Sequence, residues 1–372
     1  MGRAAEIVII GAGVVGCTIA FELARRGAAV KIVDGRSVGS GATQASAGIL
    51  APYLESRDGG PLLDLTTRSL QLFDDFIAQV ASLSGVDVPY RRTGTLDVAI
   101  DDADVRRLSE TASLLSGKGV AVQWLDGPAA RLEEPQLTSH ALGALAIAAH
   151  GFVSAPELTR AAVTAAQRFG AQFVSPARVT RIAGVNGGLA IEADGTVLHA
   201  DAVVLAAGCW SGQVDIDGIA GRLPVRPVRG QLLHLSWQGE PLRRVIWSPK
   251  CYLVPWHDGT VLVGATMEEA GFEERATVAG VRDLLDAACD IVPHAWTASF
   301  SAARVGLRPG TPDDLPIIGR SGVIQGLMYA TGHFRNGVLL APLTARIVAD
   351  ALLDGRVDPV LAITGPERFG EL

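Results

Sequence analysis

Short unbroken apolar runs alternate along this chain with longer stretches in which apolar residues return every three or four positions. The first run, EIVII at residues 6 to 10, is β-branched after its opening glutamate and reads as a strand buried on both faces. GAGVVG follows, then CTIAFELARR with helical apolar spacing, then Gly27, then AVKIVD as a second strand. This order predicts a strand, turn, helix and strand unit over residues 6 to 34. Residues 61 to 82 read as one long helix, 91 to 100 as a strand and 102 to 116 as a helix. Ser154 is placed to cap a helix that ends near Gly170. RVTRIAG, LAIEAD and GTVLHA are short strands joined by turn residues, and DAVVLAAGCW is another buried strand. Residues 222 to 265 are strand-rich, 277 to 289 are helical, and a last helix follows Asn336.

The two kinds of segment interleave. The expected fold class is α/β, or α+β in two domains. A Rossmann-like dinucleotide domain takes residues 1–85, 140–215 and 303–372; a β-sheet-rich substrate domain takes 86–139 and 216–302. Between residues 35 and 52 lies a long irregular segment, GRSVGSGATQASAGILAP. Loops of this length in compact domains are usually functional or disordered, and the mix of small and apolar residues argues against disorder.

Composition narrows the classes. With 372 residues, 48% of them hydrophobic and 19% charged, the chain is long and apolar enough for a large core and two domains. A net charge of −7 argues against a nucleic-acid or anionic-membrane surface. The four cysteines, Cys17, Cys209, Cys251 and Cys289, lie far apart and have no metal-ligand spacing, so no metal site is expected. Glu6 and Glu22 interrupt what superficially resembles a signal peptide. No apolar run is read as approaching the ~20 residues that span a bilayer, so a cytoplasmic protein without membrane contact is expected.

Gly11, Gly13 and Gly16 form G-x-G-x-x-G between the first strand and the first helix. The first allows a tight turn, the second lets the backbone approach a pyrophosphate, and the third lets helix and strand pack closely. The second strand ends in Asp34, placed to accept hydrogen bonds from a ribose and to repel a 2′-phosphate. An NAD site would be followed promptly by a second strand–helix–strand unit. Here SGATQASAGIL intervenes, and its small residues would let a flat ring system lie against the backbone, which favours FAD. Near the C-terminus, Arg335 in GHFRNG sits just ahead of a helix N-terminus, where the helix dipole disfavours a cation. Two anions resolve the conflict: a reduced flavin facing the helix, and a second anion facing Arg335.

GAGVVG, GATQASAGILAP, CYLVP with VGATM downstream, VGLRPGTPDDLPIIG and ATGHFRNGVLLAP, in this order, carry a family resemblance over nearly the whole chain. The chain resembles the ThiO-type glycine oxidases, a branch of the D-amino-acid oxidase superfamily of FAD enzymes. The resemblance implies oxidation of glycine and related small amines or D-amino acids to imines, with O2 reduced to hydrogen peroxide, and a place in thiamine thiazole synthesis. It implies noncovalent FAD, since residues 303 to 340 hold no cysteine, and a homo-oligomer, often a tetramer. Carried over by motif, Arg308 would bind the substrate carboxylate and Tyr252 would hydrogen-bond it. Arg335 would lie near the substrate, and Met267 and Trp247 would shape the pocket. FAD contacts would come from Gly11, Gly13, Val14, Val15, Gly16, Asp34, Gly35, Ala42, Thr43, Ser46, Ala47, Gly48, Ile49, Val179 and Gly208, and from His333, Phe334, Arg335, Asn336, Gly337, Val338 and Leu339.

Position alone leaves Arg308 open between this role and an ion pair with Asp313 or Asp314. Trp247 stands where family members often carry tyrosine. Lys250 is read as facing water rather than an acidic substrate. No catalytic base is evident, and none is needed if the amine arrives deprotonated. His333 is read as a flavin-loop residue. A D-amino-acid or sarcosine dehydrogenase or oxidase of the same family, with a different substrate or electron acceptor, remains the alternative reading.

Overall fold

The computed structural model describes residues 6–55, 60–174, 177–256 and 258–372. A six-stranded sheet is ordered Ile317–Arg320, Leu327–Thr331, Ala202–Leu205, Glu6–Ile10, Ala29–Val33 and Gln172–Val174. All neighbours are parallel except the edge strand Ile317–Arg320. The pleat explains the EIVII run. Ile7 and Ile9 enter a core with the helices Val14–Arg25, Ala155–Arg168, Pro61–Ser84 and Gly337–Leu353, while Val8 and Ile10 enter a second core against a four-stranded sheet. Fully burying each such side chain contributes about 1.5–3 kcal/mol relative to exposure.

The other half is an eight-stranded sheet. Its order is Ser299–Gly310, Arg226–Ser236, Thr260–Gly264, Tyr252–Pro255, Val245–Trp247, Thr95–Ala99, Gly143–Ile147 and Gln123–Asp126. One face buries Leu96, Leu233, Ile246, Leu253 and Val263 against the helix Val278–Ile291, whose Thr277 side chain caps it by accepting from Gly280 N–H. The opposite face turns toward the six-stranded sheet. Segments 140–215 and 303–372, expected with the dinucleotide unit, lend strands to this sheet through Gly143–Ile147 and Ser299–Gly310.

Three expectations need correction. The strand read at 91 to 100 is two strands in different sheets, Tyr90–Arg91 and Thr95–Ala99, separated at Gly94 with φ +77°. Ser154 does occupy the N-cap of Ala155–Arg168, but its hydroxyl bonds the Glu157 carboxylate rather than a helix N–H. Residues Phe334–Leu353 do reach membrane-spanning length and hydropathy, yet the apolar window is 72% buried. It is the core helix against Val14–Arg25 and Pro61–Ser84, mostly apolar because protein covers most of it, with Arg346 exposed and Asp350 paired with Arg26 on the remaining side.

Candidate functional site

A cavity of about 1010 Å³ opens between the carboxyl ends of the parallel strands and the exposed face of the eight-stranded sheet. Ligands of open α/β sheets bind at those carboxyl ends.

At the parallel-sheet end the three glycines separate by what a Cβ would meet. At Gly11, with φ +112°, it would lie 2.3 Å from the Ala206 carbonyl oxygen; at Gly16, 1.9 Å from the Gly11 carbonyl oxygen. Those two are glycine because the protein needs them to be. At Gly13 the nearest atom is Thr43 Oγ1 at 3.5 Å, an ordinary contact, so the room there is kept for something that is not protein. Gly13 is the N-cap of Val14–Arg25 and gives it no side-chain cap, although Val14 N–H donates to Thr43 Oγ1 at 3.1 Å. A helix N-terminus with no side chain at its N-cap, beside an open glycine, suits a pyrophosphate. Asp34 accepts from Ala12 N–H at 2.6 Å and from Arg36 N–H at 2.7 Å. Burial raises its pKa above the ordinary carboxylate value, opposed by those two amides.

Val15, Gly35, Ser46, Ala47, Ile49, Val179 and Gly208 line the same cavity. The segment Ala42–Ala45 is a single 3₁₀ turn, and Gly48, with φ +68°, presses so close to Val153 that a Cβ would fall 1.7 Å from its carbonyl oxygen. Gly306 brings the Ser299–Gly310 strand against the same turn, with Ala45 Cβ 2.9 Å from where its own Cβ would be. The small residues thus form a thin wall held from both sides.

A second helix N-terminus faces the cavity. Asn336 precedes Gly337–Leu353 without capping it through its side chain, and His333 through Val338 line the space. Phe334 has φ +46°, an outlier for a bulky residue that marks backbone held in place by its surroundings. His333 is buried, its Nε2 is 3.0 Å from Thr344 Oγ1, and burial pushes its pKa down to about 4. Leu339 is the one expected contact of this stretch whose side chain turns away. It does not line the cavity; it is 2% exposed in the helical core, and its carbonyl accepts from the Ser69 hydroxyl at 2.6 Å. Gly16 also lies off the cavity, in keeping with its packing role.

Strand register builds the other end. Leu232, Gly264, Tyr252 and Trp247 form one row across four neighbouring strands. The Trp247 and Tyr252 rings stack at 5.4 Å, and the Arg335 guanidinium lies 6.0 Å from the Trp247 ring. Two glycines make room. A Cβ on Gly264 would sit 2.5 Å from the Tyr252 hydroxyl, and one on Gly230 would sit 2.3 Å from Arg308 Nη1. Arg308 and Tyr252 therefore lie over adjacent strands on one face. Arg308 Nη1 donates to the Thr266 carbonyl at 3.0 Å. Asp313, an alternative partner for Arg308, is instead paired with Arg368 at 2.8 Å. Met267 lines the mouth and is exposed. Lys250 is mostly exposed, 4.0 Å from an Asp290 carboxylate oxygen. Arg308, Arg335 and Lys250 contribute to the cavity wall, and among the described lining residues the one carboxylate is Asp34 at the far end. The sheet end is therefore built for an anion.

Sequence reading missed the bridge over the dinucleotide end. Arg36 lies 4.3 Å from the Trp210 ring centre and pairs with Glu274 at 2.6 Å, while Trp210 meets Phe272 at 6.1 Å. It also missed Gly230 and Gly264, whose role depends on neighbouring strands.

The family model described as FAD dependent oxidoreductase matches residues 6–351. The chain is 34% identical to the glycine oxidase of Geobacillus kaustophilus, over 93% of this chain and 92% of that relative. It is 33% identical to the bifunctional protein ThiO/ThiG of Synechocystis, covering 99% of this chain but 55% of that longer relative. The crystal structure of the Geobacillus kaustophilus glycine oxidase superposes with a TM-score of 0.93 at 33% identity, over 99% of both chains.

Proposed function

The chain belongs to the family of FAD-dependent oxidoreductases, and from that premise we propose that it oxidises glycine and related small amines or D-amino acids to imines, O2 becoming hydrogen peroxide. The reading rests on one observation: Arg308 and Tyr252 lie over Gly230 and Gly264 on the wall of a cavity whose other end has the open Gly13 and two helix N-termini that their own N-cap side chains leave open.

The residues fit FAD. The Gly13 loop and the Val14–Arg25 N-terminus would hold the pyrophosphate, Asp34 the ribose, the Ala42–Ile49 wall the ring, and the Gly337–Leu353 N-terminus its pyrimidine edge. When bound, the flavin supplies hydride acceptance at N5. Arg308 would bind the substrate carboxylate by parallel, charge-assisted hydrogen bonds, and Tyr252 would add a third. Trp247 and Arg335 close the space beside Tyr252 and so limit the size of the group on Cα. Holding the carboxylate orients Cα, which is the positioning share of catalysis. Attachment of the cofactor is noncovalent in this reading. Cys251, which lines the cavity, has its thiol pKa pushed up to about 11 by burial, and so stays protonated. The product imine as a precursor of the thiamine thiazole belongs to the same proposal, and the ThiO/ThiG relative supports it.

The test is hydrogen peroxide formation in air over a panel of glycine, sarcosine and D-alanine, with the flavin spectrum recorded alongside. Peroxide in step with glycine consumption is the expected result. Flavin bleached by glycine without peroxide would move the reading to a dehydrogenase, and flavin untouched by any of the amines would end it.

His333 is not a base in this scheme. With a pKa of about 4 and Nε2 bonded to Thr344, it stays neutral near neutral pH. The His333→Ala enzyme, saturated with FAD, is expected to lose less than about tenfold in turnover, against the ~10²–10⁴ that removing a general base costs. Rapid-reaction flavin reduction under anaerobic conditions reads this directly.

A further inference from the structure

Between two cross-strand pairs beside Arg308 the strands fall out of step. Leu232 pairs with Gly264, and Arg229 bridges Glu268. On one side two residues intervene, Gly230 and Gln231; on the other there are three, Ala265, Thr266 and Met267. The extra residue makes a bulge, a device that re-aims groups beside functional sites. Here it turns the Thr266 carbonyl to Arg308, which donates to it at 3.0 Å.

The bulge is pinned by a compact polar network. Gln231 N–H donates to Thr266 Oγ1 at 2.9 Å, and the Thr266 hydroxyl donates to Glu268 Oε1 at 2.6 Å. Gln231 Nε2 donates to the same carboxylate oxygen at 2.8 Å and to Thr277 Oγ1 at 2.9 Å, which ties the network to the cap of the Val278–Ile291 helix. Arg229 pairs with Glu268 Oε2, and backbone bonds of 2.9 Å run both ways between these two residues. Gln231 is fully buried, and Gly280 packs on it so closely that a Cβ there would lie 2.2 Å from Nε2. Burial alone would raise the Glu268 pKa, but the bonds from Thr266, Arg229 and Gln231 outweigh it and hold the carboxyl below its ordinary value. The carboxylate is therefore ionised and a firm acceptor.

We propose that Thr266, pinned by Glu268 and Gln231, is a positioning residue for the Arg308 guanidinium. A guanidinium has five N–H donors in a rigid plane, so anchoring one at the Thr266 carbonyl fixes the plane in which the others meet a carboxylate. The network then acts on substrate affinity through the arginine. This inference rests on reading Arg308 as the carboxylate clamp.

The test compares Thr266→Val, which keeps volume and loses the hydroxyl, with Thr266→Ser, which does the reverse. Two readouts are used: the KM and kcat for glycine, and the dissociation constant of glycolate from its shift of the flavin absorption. Loss of the hydroxyl is expected to raise KM and the glycolate constant together by about tenfold, while kcat falls less than KM rises. The serine variant is expected to restore both, and the FAD dissociation constant is expected to stay as in wild type. A valine variant with wild-type glycolate binding, or a serine variant as impaired as valine, overturns the proposal. If Thr266→Val does not fold, Glu268→Gln carries the same readouts: a parallel rise supports the proposal, and unchanged glycolate binding overturns it. Arg308→Ala run alongside separates the two levels. If it leaves glycolate binding unchanged, the clamp reading has failed; if it weakens binding where Thr266→Val does not, only the network's role has failed.

Discussion

Replacing Arg308 by alanine is expected to raise the KM for glycine about thirtyfold or more while FAD stays bound. Truncating one side of a desolvated, hydrogen-bonded charge pair costs about 2–5 kcal/mol, and each ~1.4 kcal/mol is tenfold in affinity. FAD is spared because Arg308 stands on the eight-stranded sheet, whereas Gly13, Asp34 and the helix N-termini stand at the other end of the cavity. Arg308→Lys should recover only part of the loss, since an ammonium returns charge but not the two-pronged geometry. A companion variant separates arginine placement from arginine presence. In Gly230→Ala the new Cβ falls 2.3 Å from Arg308 Nη1. The obstructed atom is the end of a long side chain, so the guanidinium moves and the backbone does not. A rise in KM of about tenfold with an unchanged melting temperature is expected, from the loss of one well-placed charge-assisted bond. Anaerobic flavin reduction against glycine concentration measures both variants. A wild-type concentration dependence in Arg308→Ala would remove the carboxylate clamp from the proposal.

How far the site could be read from sequence follows the range of the forces involved. The strand–loop–helix of residues 6 to 34 was legible because its signals are local: a β-branched run, glycines at fixed offsets and an acid at the next strand end. The break at Gly94 was not legible, since the two strands it separates belong to different sheets and a glycine alone does not show that its φ is positive. The helix ending at Leu353 reaches membrane-spanning length and hydropathy even though Arg346 and Asp350 break its apolar run, and its burial, which sequence does not show, marks it as a core helix. Leu339 was expected at the cavity as the end of a contiguous motif, but the helix has already turned it into the core. The least legible features were Gly230, Gly264 and the Thr266 bulge. Their meaning appears when four strands are set side by side, and register is a long-range property. Arg335 shows the opposite case. Its electrostatic conflict with the following helix is visible in sequence, and the fold sets it beside Trp247, facing the same cavity as that helix N-terminus.

The glycine loop gives the other large effect, because its first two members separate folding from ligand binding. Gly11→Ala forces a side chain into φ +112° and sets its Cβ 2.3 Å from the backbone oxygen of Ala206, buried just past the end of the neighbouring strand Ala202–Leu205. Left-handed strain of about 1–3 kcal/mol and overpacking of about 1–3 kcal/mol then add, a large share of the ~5–15 kcal/mol that holds a typical domain. That variant is expected to lose both stability and FAD. Gly13→Ala is different. Its φ is ordinary, and the nearest atom to the new Cβ, Thr43 Oγ1, is at a normal 3.5 Å, so the apoprotein has no reason to melt earlier. The methyl group instead occupies the space where a pyrophosphate must approach the backbone. A fall in FAD affinity of about 5- to 150-fold is expected, the range given by ~1–3 kcal/mol of overpacking at the ligand. Calorimetric melting of the two apoproteins and fluorescence titration with FAD measure the contrast. A Gly13→Ala protein that binds FAD as tightly as wild type would mean that the dinucleotide does not cross this loop.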